Sequence, residues 1–309
     1  MAADAAMRRR FWAVVRVRDA GSKLESRTAY LLIAPLFILL GSFVFFPAIF
    51  SFYVSLFHYD PFNHNIYYVG YSNYLSVFNS PLFRIAVINV LIYAAVVVTI
   101  QTFLAFSLAL LFNRRFLVSK VSRAFVFLPA ITSSVAMSII FIWFFSKQGL
   151  LNYILAPLGV APENWLFSTT YAFPSIMMLN IFSTSPYFMI MYLAGLQSIP
   201  SPIMEAAAID GVVSPWSKFR YFYFPMLTFT TLFVVILGII GCIQLFDQVF
   251  VMTDGGPAYA TYVPMIFIFN RAYLYPGMIG VSAAASFMLF IIIMTITVAQ
   301  RNFLKEMKW

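Results

Sequence analysis

The chain has 309 residues, of which 62% are hydrophobic and only 9% are charged. Because about a quarter of the residues in a soluble domain are charged, this composition excludes a soluble globular protein and indicates a polytopic membrane protein. The net charge of +9 does not indicate nucleic-acid binding, since the lysines and arginines are confined to short loops and chain ends.

The N-terminal residues 1–28 form a basic arm, which is predicted to be separate from the membrane domain. Phe11 and Trp12 are interleaved with its arginines, so the arm either lies along the membrane surface or is a simple cytoplasmic tail. The apolar run that follows, at about 30–57, is too long for the apolar region of a secretory signal and lacks a small-residue cleavage site. This run is therefore predicted to be an uncleaved first span.

Five further apolar runs reach the roughly 20 residues that cross about 30 Å of hydrocarbon. A chain crosses lipid only as helices or as a closed barrel, and runs of this length are helices. The sequence therefore predicts an all-α membrane protein with six transmembrane helices in a single domain over 29–309. The later spans are predicted at about 85–112, 124–145, 171–196, 227–252 and 277–299.

The distribution of positive charge predicts the orientation in the membrane. All but three of the 19 Lys and Arg residues lie in the two tails, in the loop after the second span and in the loop 197–226; the exceptions are Arg84, Lys147 and Arg271. Under the positive-inside rule, both termini and the loop 197–226 are predicted to be cytoplasmic.

No metal, redox or catalytic site is predicted. His58 and His64 lie in an outer loop without a third ligand at metal-site spacing, and are interpreted as surface residues. The single cysteine, Cys242, excludes a disulfide within the chain and argues against cysteine-based metal chemistry. No G-x-x-x-x-G-K-[ST] phosphate loop, HExxH or G-x-S-x-G motif occurs, so the chain is predicted not to be an enzyme.

The cytoplasmic loop contains a short segment that is predicted to be a docking helix. Its sequence from residue 205 is Glu-Ala-Ala-Ala-Ile-Asp-Gly. Pro200 and Pro202 suit a helix start, Glu205 suits the positive end of the helix dipole, and Gly211 permits the left-handed turn that ends a helix. A compact helix between two spans, on the side of the positive charges, indicates a docking surface for a soluble protein.

Glu205-Ala206-Ala207, Asp210-Gly211 and the trailing Pro225 resemble the EAA loop of permease subunits from ATP-binding-cassette (ABC) importers. The surrounding chain is similar to the carbohydrate branch, which includes the maltose importer. This sequence departs from the pattern at Val212, where alanine is usual, at Phe229, where proline is usual, and in a longer interval between Gly211 and Trp216. The departures concern the shape of the turn. The resemblance implies a type I ABC importer permease fold, with a coupling helix that contacts an ATPase through Glu205, Ala206, Ala207, Ile209, Asp210 and Gly211.

The resemblance also implies a set of partners. These are a second homologous permease subunit, two copies of a cytosolic ABC ATPase and an extracytoplasmic solute-binding protein. ATP and Mg would bind the ATPase, and this chain would carry no cofactor. The implied location is the bacterial inner membrane, as a multi-pass protein in contact with lipid and not with nucleic acid, and the implied mechanism is alternating access.

A second resemblance lies in the predicted outer loop 253–276. Thr253-Asp254-Gly255-Gly256-Pro257 resembles the Gly-Gly-Pro turn that follows the fifth span in this family. Such a tight turn needs glycine at positive φ. The turn either helps to receive a binding protein or is a plain turn.

Polar residues inside spans are costly unless they have a partner, and they are therefore candidates for the substrate site. On span four, Asn180, Thr184 and Tyr187 are spaced i, i+4, i+7 and share a helix face. On span five, Gln244 and Asp247 share a face with the neighbouring Gln248. Amides, hydroxyls and an aromatic ring are the groups that bind sugars. The resemblance supports Asn180 and Tyr187 as binding residues, whereas Gln244 and Asp247 rest on spacing alone.

Several alternatives remain open from the sequence. The polar side chains either bind the solute or hydrogen-bond neighbouring helices, and Asp247 either binds or reaches the membrane interface. A secondary transporter driven by an ion gradient would need intramembrane acids as coupling sites, for which Asp247 is the only candidate. The solute is predicted to be a sugar or related polyol, and its identity does not follow from the sequence.

Overall fold

The computed structural model describes residues 26–61, 63–113, 120–200, 202, 203, 205, 209 and 214–306. The chain divides into two compact units, Met1–Val54 and Ser55–Trp309. The described part of the first unit belongs to one apolar helix, α1 (Ser26–Ser55). This helix contains a π-helical turn at Gly41–Phe45.

The second unit is mostly helical. In the described residues its main helices are α2 (Ser72–Asn79), α3 (Pro81–Asn113), α4 (Lys120–Ile131), α5 (Ser134–Phe144), α6 (Leu150–Leu155), α7 (Ala172–Gln197), α8 (Trp216–Met226), α9 (Thr228–Ile243), α10 (Asp247–Met252), α11 (Pro264–Phe269) and α12 (Ile279–Glu306). Short 3-10 segments lie at Ala156–Leu158 and Trp165–Phe167, and a π-helical segment lies at Asn270–Leu274.

Four helices of the described chain are long and apolar enough to cross a membrane by themselves, namely α1, α3, α7 and α12. They correspond to the first, second, fourth and sixth predicted spans. Two further helix pairs pass the same test together but are bent, α4 with α5 by 99° and α8 with α9 by 73°. The structure thus contains four candidate spans, or up to six if each bent pair is one span.

The structure differs from the sequence prediction at 124–145 and 227–252, where each predicted helix is interrupted. The first run is interrupted at Ser133, whose ψ of 134° is extended. The second run is interrupted between α9 and α10, where Phe246 has φ −138° and ψ −65°. An apolar run indicates burial in lipid or protein but does not report helix continuity, because a break inside a membrane is tolerated wherever its backbone is covered by protein or lines a cavity.

The first predicted outer loop contains a β-hairpin, which the all-α prediction missed. Strands β1 (Phe57–Asp60) and β2 (Asn65–Tyr68) pair antiparallel. The turn between them is stabilised by Asp60, whose Oδ2 accepts a hydrogen bond of 2.8 Å from Asn63 Nδ2. His58 stacks on Tyr67 with 4.8 Å between ring centroids, so its ring packs against an aromatic side chain of the hairpin.

Gly280 in α12 allows the hairpin to approach this helix closely. A Cβ at position 280 would lie 2.0 Å from the Phe57 carbonyl oxygen and 2.8 Å from Asn73 Nδ2. That same Asn73 amide donates to the carbonyl oxygens of Phe57 at 2.9 Å and Ser55 at 2.8 Å. A methyl group here therefore displaces backbone as well as a buried hydrogen-bonding side chain.

We expect Gly280→Ala to lower the free energy of unfolding by about 1–3 kcal/mol, the range for overpacking a filled site. Thermal unfolding of the purified subunit in detergent measures this loss. Gly241→Ala is the matched control, since a Cβ at helical Gly241 would have no atom of the described residues within 4 Å. Equal stability of the two variants would contradict the predicted close approach.

The core of the second unit has two apolar layers. One surrounds Val97 on α3, Leu179 on α7 and Cys242 on α9. The other surrounds Ala105 on α3, Phe188 on α7 and Val234 on α9. On all three helices, a few residues separate one layer from the other. That interval contains the candidate site.

Candidate functional site

Polar and small residues occupy the interval between the two apolar layers. Gln101 lies there on α3, Asn180 and Thr184 on α7, and Gly238 on α9. Helices α3 and α7 make the largest helix–helix contact in the unit, and α9 packs on both. Polar groups at equivalent depth on three packed helices therefore lie close together.

These residues line a cavity of about 280 Å³. Amides, a hydroxyl and a carboxylate face it together with the rings of Phe188 and Phe246. Among the described residues that line it, none is Lys, Arg or His. The polar groups of the wall are those of Gln101, Asn180, Thr184, Gln244, Asp247 and Gln248.

Thr184 connects the polar groups of α3 and α7. Its Oγ1 lies 2.7 Å from Gln101 Oε1, 2.8 Å from the Asn180 carbonyl oxygen and 3.4 Å from Asn180 Oδ1. Gln101 and Asn180 are both buried, with exposed fractions of 1% and 8%. The Thr184 hydroxyl has one proton to donate, and it lies closest to the Gln101 amide, so it links the buried Gln101 side chain of α3 to α7.

The break between α4 and α5 and the break between α9 and α10 meet beside this cavity. Ser134, the first residue of α5, donates a hydrogen bond of 2.6 Å from Oγ to Oδ2 of Asp247, the first residue of α10. A second cavity of about 220 Å³ lies at the α4–α5 break and shares Thr184 and Gln248 with the first. The non-helical backbone of both breaks therefore lines cavities, as irregular backbone inside a membrane must unless protein covers it.

The structure brings together four of the five predicted substrate residues. Asn180, Thr184, Gln244 and Asp247 line the cavity, whereas Tyr187 does not. The Tyr187 side chain is about half exposed, and its ring packs edge-on against Phe188 at 5.4 Å. A binding role for any of the five stays a prediction.

The reason given for Gln244 and Asp247 was wrong, although both reach the cavity. The helix ends at Ile243, so these two residues do not share one helix face. The break turns the chain and presents both side chains to the same space. Sequence reasoning also missed Gln101, although a polar residue inside the apolar second span was a usable signal.

The predicted coupling segment is described at two positions. Glu205 and Ile209 are helical and exposed, and Ile209 has 86% of its surface exposed. They are four residues apart in the sequence. The remaining predicted coupling residues, Ala206, Ala207, Asp210 and Gly211, lie outside the described residues.

The Gly-Gly-Pro turn is attached to the second span. Gly255 has φ +84°, the left-handed conformation expected from the sequence. Asn89 of α3 donates hydrogen bonds to the carbonyl oxygens of Tyr259 at 3.1 Å and Tyr262 at 2.9 Å. Within the turn, Thr261 Oγ1 donates to the Gly256 carbonyl oxygen at 2.7 Å. The loop is therefore held in place by one side chain of α3 and by its own Thr261.

Comparison with protein families matches residues 101–309 to the family described as "Binding-protein-dependent transport system inner membrane component". The trehalose/maltose transport system permease protein MalF of Thermococcus litoralis is 32% identical over 89% of this chain and 92% of its own. The lactose transport system permease protein LacF of Rhizobium radiobacter is 33% identical over 90% of this chain and 94% of its own.

The fold also matches a solved structure. A chain of a bacterial ABC transporter involved in the import of the acidic polysaccharide alginate superposes with a TM-score of 0.79 at 20% sequence identity. The match covers 94% of this chain and 100% of that chain. The second unit, with its bent and interrupted helices, therefore has the fold of an ABC transporter chain.

Proposed function

Since the chain belongs to the family of binding-protein-dependent transport system inner membrane components, we propose that it forms part of the pathway for an uncharged sugar or related polyol. It is a multi-pass permease subunit of an ABC importer in the inner membrane, and it is not itself the catalyst. The chemical class of the solute, the residues that bind it and the assembly with partner subunits are proposed here.

The observation that carries the proposal is the polar cavity between two apolar layers. Amide and hydroxyl groups bind sugar hydroxyls, which both donate and accept hydrogen bonds, and the rings of Phe188 and Phe246 offer apolar faces to a sugar ring. The named relatives transport trehalose, maltose and lactose, which are of this chemical class. Asn180, Thr184, Gln244 and Asp247 are the proposed binding residues, with Tyr187 outside the cavity wall.

The charge of the cavity favours an uncharged solute. Asp247 contributes a carboxylate, and the described lining residues contribute no positive side chain. A solute with carboxylate or phosphate groups would meet this acid in a low-dielectric environment without a compensating cation. Acidic sugars such as alginate fragments are therefore disfavoured, although the fold is shared with an alginate transporter.

We propose that the subunit works in a larger assembly. A second homologous permease, two copies of a cytosolic ABC ATPase that bind ATP and Mg, and an extracytoplasmic binding protein would complete it. The basic arm 1–28 and both termini would be cytoplasmic, and the domain 29–309 would cross the membrane six times. The loop 197–226, with its segment from Glu205 to Gly211, would dock on the ATPase, and its exposed Ile209 supports this role.

Broken spans suit alternating access. Transporters commonly place their solute sites at discontinuous helices, because unwound segments line a cavity and allow helix halves to move. Here the break at Phe246 lines the cavity, and the break at Ser133 lies at the neighbouring cavity that shares Thr184 and Gln248 with it. ATP binding would bring the docked ATPases together and open the permease pair outward, and hydrolysis would reset it.

The test is uptake into proteoliposomes that contain the complete transporter with its own binding protein outside. We expect ATP and Mg inside the vesicles to drive uptake of at least one of maltose, trehalose and lactose, and no uptake of alginate oligosaccharides. Ionophores that collapse proton and sodium gradients should leave the rate unchanged. Uptake abolished by ionophores would favour a secondary transporter, and uptake of the acidic oligosaccharides alone would contradict the uncharged-solute proposal.

A further inference from the structure

Gln101 is the most deeply buried polar side chain in the wall of the 280 Å³ cavity, with 1% of its surface exposed. Its Oε1 accepts a hydrogen bond of 2.7 Å from Thr184 Oγ1. Its Nε2 is buried and has no hydrogen-bond partner among the residues that the structure describes. One end of this carboxamide is therefore held in place, and the other end is unpaired.

One end of the Gln101 amide is without a partner in either orientation of the amide. The oxygen and nitrogen of a carboxamide occupy nearly identical positions after a rotation of 180°. In one orientation Thr184 donates to the amide oxygen, and in the other Thr184 accepts from the amide nitrogen. Both leave one polar atom without a partner, and a buried polar atom without a partner is destabilising. A sugar hydroxyl, which donates and accepts, pairs with either atom.

Gly238 on α9 leaves room for this amide. A Cβ at position 238 would lie 2.5 Å from Gln101 Nε2 and 3.4 Å from Val98 Cγ2. Glycine is less favourable than alanine inside a helix, so helix stability does not account for a glycine here. Both residues line the cavity. The missing side chain of Gly238 therefore preserves the position of the Gln101 amide in the cavity wall.

We infer that Gln101 contacts the transported solute and determines specificity, and that Gly238 is needed to keep its amide in position. This inference rests on the proposed function, because it assigns a further residue to the same cavity. The unpaired end of the amide binds one solute hydroxyl in the cavity that Asn180 and Asp247 also line. A site that satisfies a buried amide through one hydroxyl rejects analogues that lack this hydroxyl, because the amide is then left unpaired.

The experiment measures uptake by the complete transporter in proteoliposomes. It uses whichever of maltose, trehalose and lactose the wild type transports, together with the single-deoxy analogues of that sugar. We expect Gln101→Met, which keeps the length and removes the amide, to raise the KM roughly five- to tenfold, the factor for one lost hydrogen bond. The wild type should transport one deoxy analogue poorly, and Gln101→Met should no longer distinguish it from the parent sugar. The binding protein is the same throughout, so its own selectivity cancels in the ratio of variant to wild type.

Thr102→Val is the matched control for Gln101→Met. Thr102 is adjacent on α3, and its Oγ1 is likewise buried without a partner in the described part of the chain. It lines a separate, largely apolar cavity of about 530 Å³ and not the polar one. We expect Thr102→Val to keep the wild-type KM and the wild-type discrimination between sugars.

Gly238→Ala tests the same inference without removing the amide, and replaces Gln101→Met if that variant fails to assemble. Its methyl group displaces the amide end, so its KM and discrimination should match those of Gln101→Met. Because the methyl acts through Gln101, the double variant should be no worse than either single variant. Fully additive losses would overturn the assigned role of Gly238.

The outcomes separate this inference from the proposed function. If Gln101→Met and Gly238→Ala keep wild-type KM and discrimination while Asn180→Leu loses uptake, the inference is overturned and the proposed cavity stands. If Asn180→Leu also transports normally, or if the wild type transports none of the three sugars, the proposed function is contradicted together with the inference.

Discussion

Replacing Ile209 by aspartate is expected to reduce ATP-driven uptake by about thirtyfold or more, while the subunit remains folded in the membrane. Ile209 lies in the loop proposed to dock on the ATPase, and 86% of its surface is exposed. Ile209 lies four residues after Glu205 in the segment that resembles the EAA loop, so a docked ATPase would cover this apolar side chain. Placing a carboxylate in such a contact removes apolar burial and introduces an unpaired charge.

The measurement is uptake together with co-purification of the ATPase on the tagged permease. Ile209→Leu should retain both, since the apolar surface is kept. The folded state of Ile209→Asp should be normal by thermal unfolding, because the side chain is exposed in the subunit. Wild-type uptake by Ile209→Asp would contradict the docking role, and so would a normal ATPase complex with the variant.

Replacing Asp247 by leucine is expected to reduce uptake by about ten- to a hundredfold. Its carboxylate accepts the 2.6 Å hydrogen bond from Ser134 and also faces the cavity. A hydrogen bond to a charged group contributes about 1.5–3 kcal/mol to the stability of the conformation that contains it. Losing this free energy from the transport-competent conformation lowers the uptake rate by this factor. Without this hydrogen bond, the first residue of α5 is no longer attached to the first residue of α10, and Ser134 has lost this partner.

Two control variants show how much of the loss comes from the Ser134–Asp247 hydrogen bond, here called the link, and how much comes from the carboxylate in the cavity. Asp247→Asn keeps an oxygen that accepts from Ser134, so the link is expected to survive and only the cavity charge is lost. Ser134→Ala removes the link and keeps the carboxylate. If the link carries the effect, Ser134→Ala reproduces most of the loss, and the double variant Ser134→Ala with Asp247→Leu adds little. Uptake by Asp247→Leu at the wild-type rate would contradict both roles.

Much of the architecture was predictable because lipid burial leaves a strong signal in the sequence. The apolar runs at 85–112, 171–196 and 277–299 correspond to the continuous helices α3, α7 and α12. The family was also predictable, because Glu205-Ala206-Ala207 with Asp210-Gly211 is a local motif that does not depend on distant contacts. The comparisons confirm that membership. Asn180 and Thr184 were predictable as cavity residues because both lie on one unbroken helix.

The positions of the helix breaks and the composition of the cavity wall were decided only by the tertiary structure, because both depend on residues far apart in the chain. The break before Asp247 is stabilised by Ser134, 113 residues earlier, and Thr184 positions an amide 83 residues away. A run of apolar residues carries no information about such individual contacts, so neither break was predictable from composition. In the sequence, nothing distinguishes Gly238 from other glycines in apolar helices, and only the fold places it against Gln101. The sequence determined which segments are buried in the membrane and which family they form, because these depend on local composition and motif. The packed helices determined which polar groups share a cavity, because that depends on where the helices break and which faces then meet.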